Sequence, residues 1–225
     1  MNLDLKNITL VCVEGTQKEQ NTKNAHDALI VSSRNIDFAK CLLLSPIEYT
    51  KTSKIQHQLI NPFSWIGYNQ FIVHHLNTYI DTDYCIIIQS DGFILNSHLW
   101  IDEFLYYDYI GHSFDFQRYP CQVKGVNPEI VARKGVAGLN RVGNGGFSMR
   151  SKKLLELSEK ITVQCNGPED AFICNDNYDY FVSNGVKFAP VELADKFSKD
   201  YGDYRNDTFG FHGNKDILQQ IKDLH

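Results

Sequence analysis

The sequence predicts an α/β protein, a Rossmann-type domain in which helices flank a mixed, mostly parallel central sheet. Three observations predict it. Tyr84-Cys85-Ile86-Ile87-Ile88 is an unbroken apolar run rich in β-branched residues, the pattern of a strand covered on both faces. A second apolar run at 8–13 is followed by helical spacing and a third run at 38–44, which makes a βαβ opening. The chain has 225 residues, 43% of them hydrophobic and 12% aromatic, enough for one substantial core and short of two full-sized ones. One domain over 1–225 is expected.

The elements follow in order. Ile8-Thr9-Leu10-Val11-Cys12-Val13 reads as a first strand that ends at the turn Glu14-Gly15-Thr16. Ala25, Ala28, Leu29 and Ile30 share a helical face, with Thr22 as N-cap. Phe38 to Leu44 form a second strand, stopped at Ser45-Pro46. The polar segment 48–61 reads as loop or short helix, and 64–80 as one helix presenting Trp65, Tyr68, Phe71, Ile72, His75, Leu76 and Tyr79. That helix delivers the chain to the run at 84–88. Beyond it, 99–105 looks helical and 108–111 looks like a short strand. Residues 112–140 carry scattered Pro and Gly with no sustained period, the mark of an active-site loop or lid in a compact domain. Its aromatics Phe114, Phe116 and Tyr119 are equally suited to stacking on a sugar and to packing the loop down. Arg141 to Arg150 set three glycines before an apolar strand, and Ser151 caps a helix through Leu154, Leu155 and Leu157. A helix is expected from Pro168-Glu169-Asp170 to about 183, an edge strand at 186–190, and a short helix at 192–197.

Composition excludes several classes. A net charge of -5, with 22 Lys and Arg scattered among 27 Asp and Glu, lacks the concentrated basic surface that nucleic acid requires. No segment approaches the length of a transmembrane helix, and the N-terminus has no signal-peptide pattern. The six cysteines form no C-x-x-C pair, and Cys12, Cys41, Cys85 and Cys174 sit in apolar surroundings, which suits a reducing compartment. A cytoplasmic location is expected.

Four features carry chemistry. Asp91-Gly92 lies where the 84–88 run leaves the sheet, the edge at which open α/β sheets bind ligands; the same dipeptide is also an ordinary turn. Gly143, Gly145 and Gly146 allow close approach of backbone to a ligand, without the G-x-x-x-x-G-K-[ST] spacing of a P-loop. Glu169-Asp170 opens a helix, where acids offset the dipole and are equally placed for general-base work. His212 stands between Gly210-Phe211 and Gly213, so a bent backbone projects its imidazole.

In this order the pieces Gln89-Ser90-Asp91-Gly92, Tyr107-Asp108-Tyr109-Ile110-Gly111, Val142 to Arg150, Pro168-Glu169-Asp170 and Phe209-Gly210-Phe211-His212-Gly213 resemble a poorly characterised branch of the GT-A-type nucleotide-sugar glycosyltransferases. The resemblance spans roughly 8–213. It implies a GT-A-like fold and transfer of a hexosyl or deoxyhexosyl group from a nucleotide-diphosphate sugar, a UDP-sugar first, to a glycan or other hydroxyl acceptor, metal-dependent and inverting. By it, Val13, Glu14, Thr16, Gln89, Ser90, Asp91, Gly145 and Gly146 would bind nucleotide and donor. Asp91 and His212 would hold a divalent cation, Mn²⁺ or Mg²⁺. Asp170 would be the catalytic base, with Glu169 holding an acceptor hydroxyl or the helix terminus. Gln89 departs from the family, whose acidic turn is usually Asp-x-Asp; a neutral amide there weakens the metal site or contacts a hydroxyl instead.

Three other readings compete. The loss of the first acid suits a non-catalytic sugar-nucleotide or glycan-binding module. A sugar-phosphate nucleotidylyltransferase shares the sheet architecture, but Glu14-Gly15-Thr16 lacks the basic, glycine-rich signature expected after its first strand. In a plain α/β domain the acids would be only caps and turns.

Overall fold

The structure, a computed structural model, describes residues 2–49, 51–114, 141–200 and 207–213. In chain order its elements are strand β1 (Leu3–Val13), helix α1 (Glu19–Ser32), β2 (Ile36–Ser45), β3 (Gln56–Leu59), α2 (Trp65–His74), β4 (Tyr84–Ile88), β5 (Gly92–Ile94), β6 (Tyr109–Ile110), β7 (His112–Phe114), β8 (Arg141–Gly143), β9 (Phe147–Ser151), α3 (Lys152–Glu159), α4 (Glu169–Ala171), α5 (Tyr178–Ser183), α6 (Val191–Phe197), β10 (Ser198–Asp200) and β11 (Gly210–His212).

The main sheet has the order β3-β2-β1-β4-β9-β6. Its first four strands are parallel, and β9 lies antiparallel between β4 and β6. This is the mixed, mostly parallel sheet that the apolar runs predict. The runs are continuous because both faces are covered: Leu10, Cys12, Ile86 and Ile88 join one apolar cluster and Val11, Val13, Cys85 and Ile87 the other. Helix α1 supplies Ala25, Ala28 and Leu29 to the first cluster, and α2 supplies Phe71 and Ile72 to the second. Ile86, Ile87 and Ile88 are all fully buried, each worth about 1.5–3 kcal/mol relative to exposure.

Two smaller sheets shape the edge where β4 ends. β5 starts directly after the Asp91 turn, and β11 pairs with it antiparallel so that His212 faces Gly92. The last described strand therefore returns His212 to the exit of the central strand. In the other small sheet β7 pairs with β8, His112 opposite Gly143.

Several elements differ from expectation. Thr22 is no N-cap: α1 begins at Glu19 with Lys18 before it, and Thr22 is buried within the helix. Segment 48–61 contains β3, a polar edge strand held to β2 by backbone pairing and by His57 Nε2, 2.9 Å from Ser45 Oγ. The helix expected over 64–80 stops at His74 and resumes as a 3₁₀ turn, Leu76–Tyr79. The one expected from 169 breaks into α4, a π turn at Phe172–Asp176 and α5, because Asn177 closes its bond five residues back on the Phe172 carbonyl. At 186–190 there is a single bridge, Phe188 to Tyr109, in place of a strand. Of the expected 112–140 loop, 112–114 form β7; the remainder, with Phe116 and Tyr119, lies outside the described residues. Cys12, Cys41, Cys85, Cys165 and Cys174 are free and buried. Among the described residues no helix is long and apolar enough to cross a membrane.

Candidate active site

The exit of β4 folds back through a tight turn. Gly92 N–H donates to the Gln89 carbonyl at 2.9 Å, Gln89 N–H to the Gly146 carbonyl at 2.9 Å, and Gly213 N–H to the Asp91 carbonyl at 3.1 Å. Three separate segments, 89–92, 144–146 and 210–213, thereby meet at one sheet edge. Their side chains meet too. His212 Nε2 lies 3.4 Å from Asp91 Oδ1 and 3.1 Å from Gln89 Oε1. The Gln89 amide donates in turn to the Tyr68 hydroxyl at 3.1 Å, so its carbonyl faces the histidine and His212 Nε2–H is the donor between them. Burial raises the Tyr68 hydroxyl pKa, with Glu169 adding to the effect, so Tyr68 stays neutral.

The glycine-rich turn lies against this cluster on one side and against 169–170 on the other. A Cβ on Gly146 would overlap the His212 ring, and a Cβ on Gly145 would overlap Glu169 Oε1. Both positions admit only glycine without displacement. Asn144 takes φ +68°, which turns the chain into β9. Asp170 Oδ2 accepts from Asn144 N–H at 3.0 Å and Gly145 N–H at 3.3 Å, and its Oδ1 accepts from Ala171 N–H at 2.8 Å. Asp170 is thus fixed against the turn yet partly exposed.

Glu169 is placed differently. It is 3% exposed, with Oε2 2.6 Å from Nη2 of Arg150, which is 0% exposed. Its backbone N–H donates to Asn69 Oδ1 at 2.9 Å, tying α4 to α2. Burial pushes the Glu169 carboxyl up to about 7 against the pull of Arg150. Arg150 keeps its charge, since Glu169 and Tyr109 outweigh the burial that works against it.

Beside these groups β1 ends at the buried Val13, and Glu14 N–H joins the Leu44 carbonyl at 2.9 Å. Glu14 Oε1 accepts from Thr16 N–H at 2.7 Å, and Thr16 Oγ1 accepts from Asn21 Nδ2 at 2.9 Å. Phe63 closes the turn: its N–H donates to the Gly15 carbonyl at 3.0 Å and its ring occupies the space a Cβ on Gly15 would need. Ser90 is partly exposed in the turn after β4.

Val13, Glu14, Thr16, Gln89, Ser90, Asp91 and His212 thus border the carboxyl ends of β1 and β4, and Gly145, Gly146, Glu169 and Asp170 the glycine-rich turn beside them. Sequence reasoning missed Tyr68, Asn69, Phe63 and Arg150. Tyr68 was assigned to an apolar helix face. Arg150 had a legible signal, because a cation inside an apolar strand implies a buried anion to pair with.

The arrangement fits a divalent cation. Asp91 and His212 offer a carboxylate oxygen and an imidazole nitrogen, and Gln89 offers an amide oxygen beside them, a donor set suited to Mn²⁺ or Mg²⁺. Among the described residues no group of three or more His, Cys, Asp or Glu that could hold a metal ion gathers.

The sheet order and this edge define the class of fold, a GT-A-type domain. The structure is similar to that of galactosyltransferase LgtC in complex with donor and acceptor sugar analogs, with TM-score 0.51 and 11% identity over 96% of this chain and 94% of that one. It is similar to an active-site mutant of LgtC, with TM-score 0.50 and 11% identity over 91% and 86% of the two chains. It is also similar to a glycosyltransferase involved in glycosylation of the major capsid of PBCV-1, with TM-score 0.50 and 13% identity over 97% and 99%. The chain belongs to the family described as "Protein of unknown function (DUF5672)", whose model matches residues 42–212, more than half of the sequence. No curated protein matches it.

Proposed function

We propose that the protein is a glycosyltransferase that moves a sugar from a nucleotide-diphosphate donor, a UDP-sugar first among them, to a carbohydrate or other hydroxyl acceptor, with inversion at the anomeric carbon. One observation carries the reading: a single glycine-rich turn holds Asp170 on one side and touches His212, paired with Asp91, on the other. Transfer needs those two functions opposite each other, a base for the acceptor and a charge sink for the leaving diphosphate. The fold likeness to glycosyltransferases agrees with it.

In this reading Asp91, His212 and the Gln89 carbonyl hold Mn²⁺ or Mg²⁺, which when bound neutralises charge on the departing diphosphate. Val13, Glu14, Thr16, Gln89 and Ser90 line the nucleotide, and Gly145 and Gly146 let the donor sugar approach the backbone. Asp170 accepts the proton of the attacking acceptor hydroxyl as the new C–O bond forms and the bond to diphosphate breaks. One displacement gives one inversion. Glu169, committed to Arg150, supports Asp170. The 112–140 segment, which beyond Phe114 lies outside the described residues, would exclude water from the donor.

A second reading, a sugar-nucleotide-binding module, draws on Gln89, whose amide is engaged at both ends by His212 and Tyr68. Calorimetric titration of Mn²⁺ with and without UDP, into wild type and Asp91→Ala, tests the site. Nucleotide-enhanced Mn²⁺ binding lost in the variant is expected; equal binding by both proteins removes Asp91 from it. Nucleotide binding with no sugar released from any donor would favour the module.

A further inference from the structure

Arg150 sits in β9, between β4 and the edge strand β6, and is fully buried. Removing a guanidinium from water is costly, and a buried ion pair is often matched or bettered in stability by apolar residues of similar volume. The local design is poor for stability alone. Among the described residues Nη1 is buried without a hydrogen-bond partner and Nε reaches Ser148 Oγ at 3.3 Å, while the guanidinium carbon lies 5.2 Å from the Tyr109 ring centroid. What the arginine does grip is Glu169, at 2.6 Å.

Glu169 is a junction. Its backbone is held by Asn69 from α2, its Oε1 fills the space beside Gly145, and the next residue is Asp170, clamped on the Asn144 and Gly145 amides. A shift of Glu169 would therefore move Asp170 and the turn together. Sites that break the rules of core packing are where function is found.

We propose that Arg150 is a positioning residue: through Glu169 its buried guanidinium fixes the 169–170 segment against the glycine-rich turn and so sets the place of the Asp170 carboxylate. The functional meaning rests on the glycosyltransferase reading; the positioning does not. Bond formation and proton transfer stay with Asp170 and the acceptor, and Arg150 touches neither.

The test is a folded protein without the ion pair. In Arg150→Met/Glu169→Met the two charges are replaced by chains of similar length, so the melting temperature should stay near wild type. Hydrogen exchange read by NMR at Asn144 and Gly145 should nevertheless speed up by about tenfold or more relative to the β1 amides. Arg150→Lys keeps the charge, loses the fork and should give a smaller acceleration confined to the same two amides. Unchanged exchange at both amides in the double variant overturns the proposal. Should that variant not fold, wild-type exchange at both amides in Arg150→Lys overturns it. The exchange readout needs no substrate, so a wild-type protein that releases no sugar would count against the glycosyltransferase reading and leave this one decided. With a working donor, the double variant should lose kcat by about tenfold or more and keep its donor KM within about threefold.

Discussion

His26 shows how a single residue's surroundings set a measurable property. The residue is 2% exposed, among the described residues neither ring nitrogen has a hydrogen-bond partner within 3.5 Å, and Asp27 Oδ1 lies 3.7 Å from Nδ1. Burial lowers its pKa, with Asp27 opposing and Lys51 adding to the shift. The unfolded chain therefore takes up a proton at a higher pH than the folded one, and His26 costs stability as pH falls through about 6.5. Glu169 has the opposite sign: a carboxyl raised to about 7 favours the fold at low pH, and that contribution fades as pH rises between about 4.5 and 7. Urea denaturation of wild type and His26→Leu separates the two. The variant should gain on wild type as pH falls from 7.5 to 5.5, and parallel curves would contradict the account. The two glycines of the turn make a second residue-scale prediction. Gly146→Ala should push His212 aside and weaken nucleotide-dependent Mn²⁺ binding, whereas Gly145→Ala should displace Glu169. Each should cost about 1–3 kcal/mol of stability, and binding unchanged in Gly146→Ala would contradict the placement of His212. The positions of Asp91, Asp170 and His212 were legible because strand ends, a helix start and neighbouring glycines mark them in the sequence. Tyr68 and the buried Arg150 were less so, because they meet the site through contacts between segments far apart in sequence.

At the scale of elements, legibility followed burial. The runs that became β1, β2 and β4 were plain in the sequence because apolar layers on both faces demand continuous apolar residues. The polar segment Gln56-His57-Gln58-Leu59 gave no such signal; β3 is an edge strand with little burial, paired on one side only. Thr22 read as a cap because threonine commonly is one, yet the start of α1 is set earlier by Asn21 and Thr22 N–H groups reaching the Lys18 carbonyl. The π turn after α4 is closed by Asn177, whose N–H and Nδ2 both donate to the Phe172 carbonyl, a detail that periodicity does not encode. Ser151 is the cap the sequence does reveal: its Oγ accepts from Leu154 N–H at 3.1 Å and donates to Asp108 Oδ1 at 2.6 Å. Ser151→Ala should destabilise the protein by about 1–2 kcal/mol, seen as a lower urea midpoint at unchanged slope. An unchanged midpoint would mean that α3 is held by packing alone.

Across the whole molecule, the order of the strands does the assembling. β4 carries Gln89 and Asp91 to the sheet edge, β9 returns beside it with the glycine turn at its head, and β11 brings His212 back across β5. Sequence pieces up to 123 residues apart, Gln89 and His212, end within hydrogen-bond distance. No local pattern contains that fact, and only the resemblance in motif order anticipated it. The central claim is that this edge transfers sugar with Asp170 as base. The most direct measurement incubates the protein with a panel of nucleotide sugars, Mn²⁺ and simple sugar acceptors, and follows nucleoside diphosphate release and the anomeric proton of the product by NMR. The account predicts metal-dependent release from one donor, an inverted product linkage, and an Asp170→Asn variant slowed by about 10²–10⁴ with nucleotide affinity near wild type. A retained linkage, or an Asp170→Asn variant that turns over normally, would contradict it.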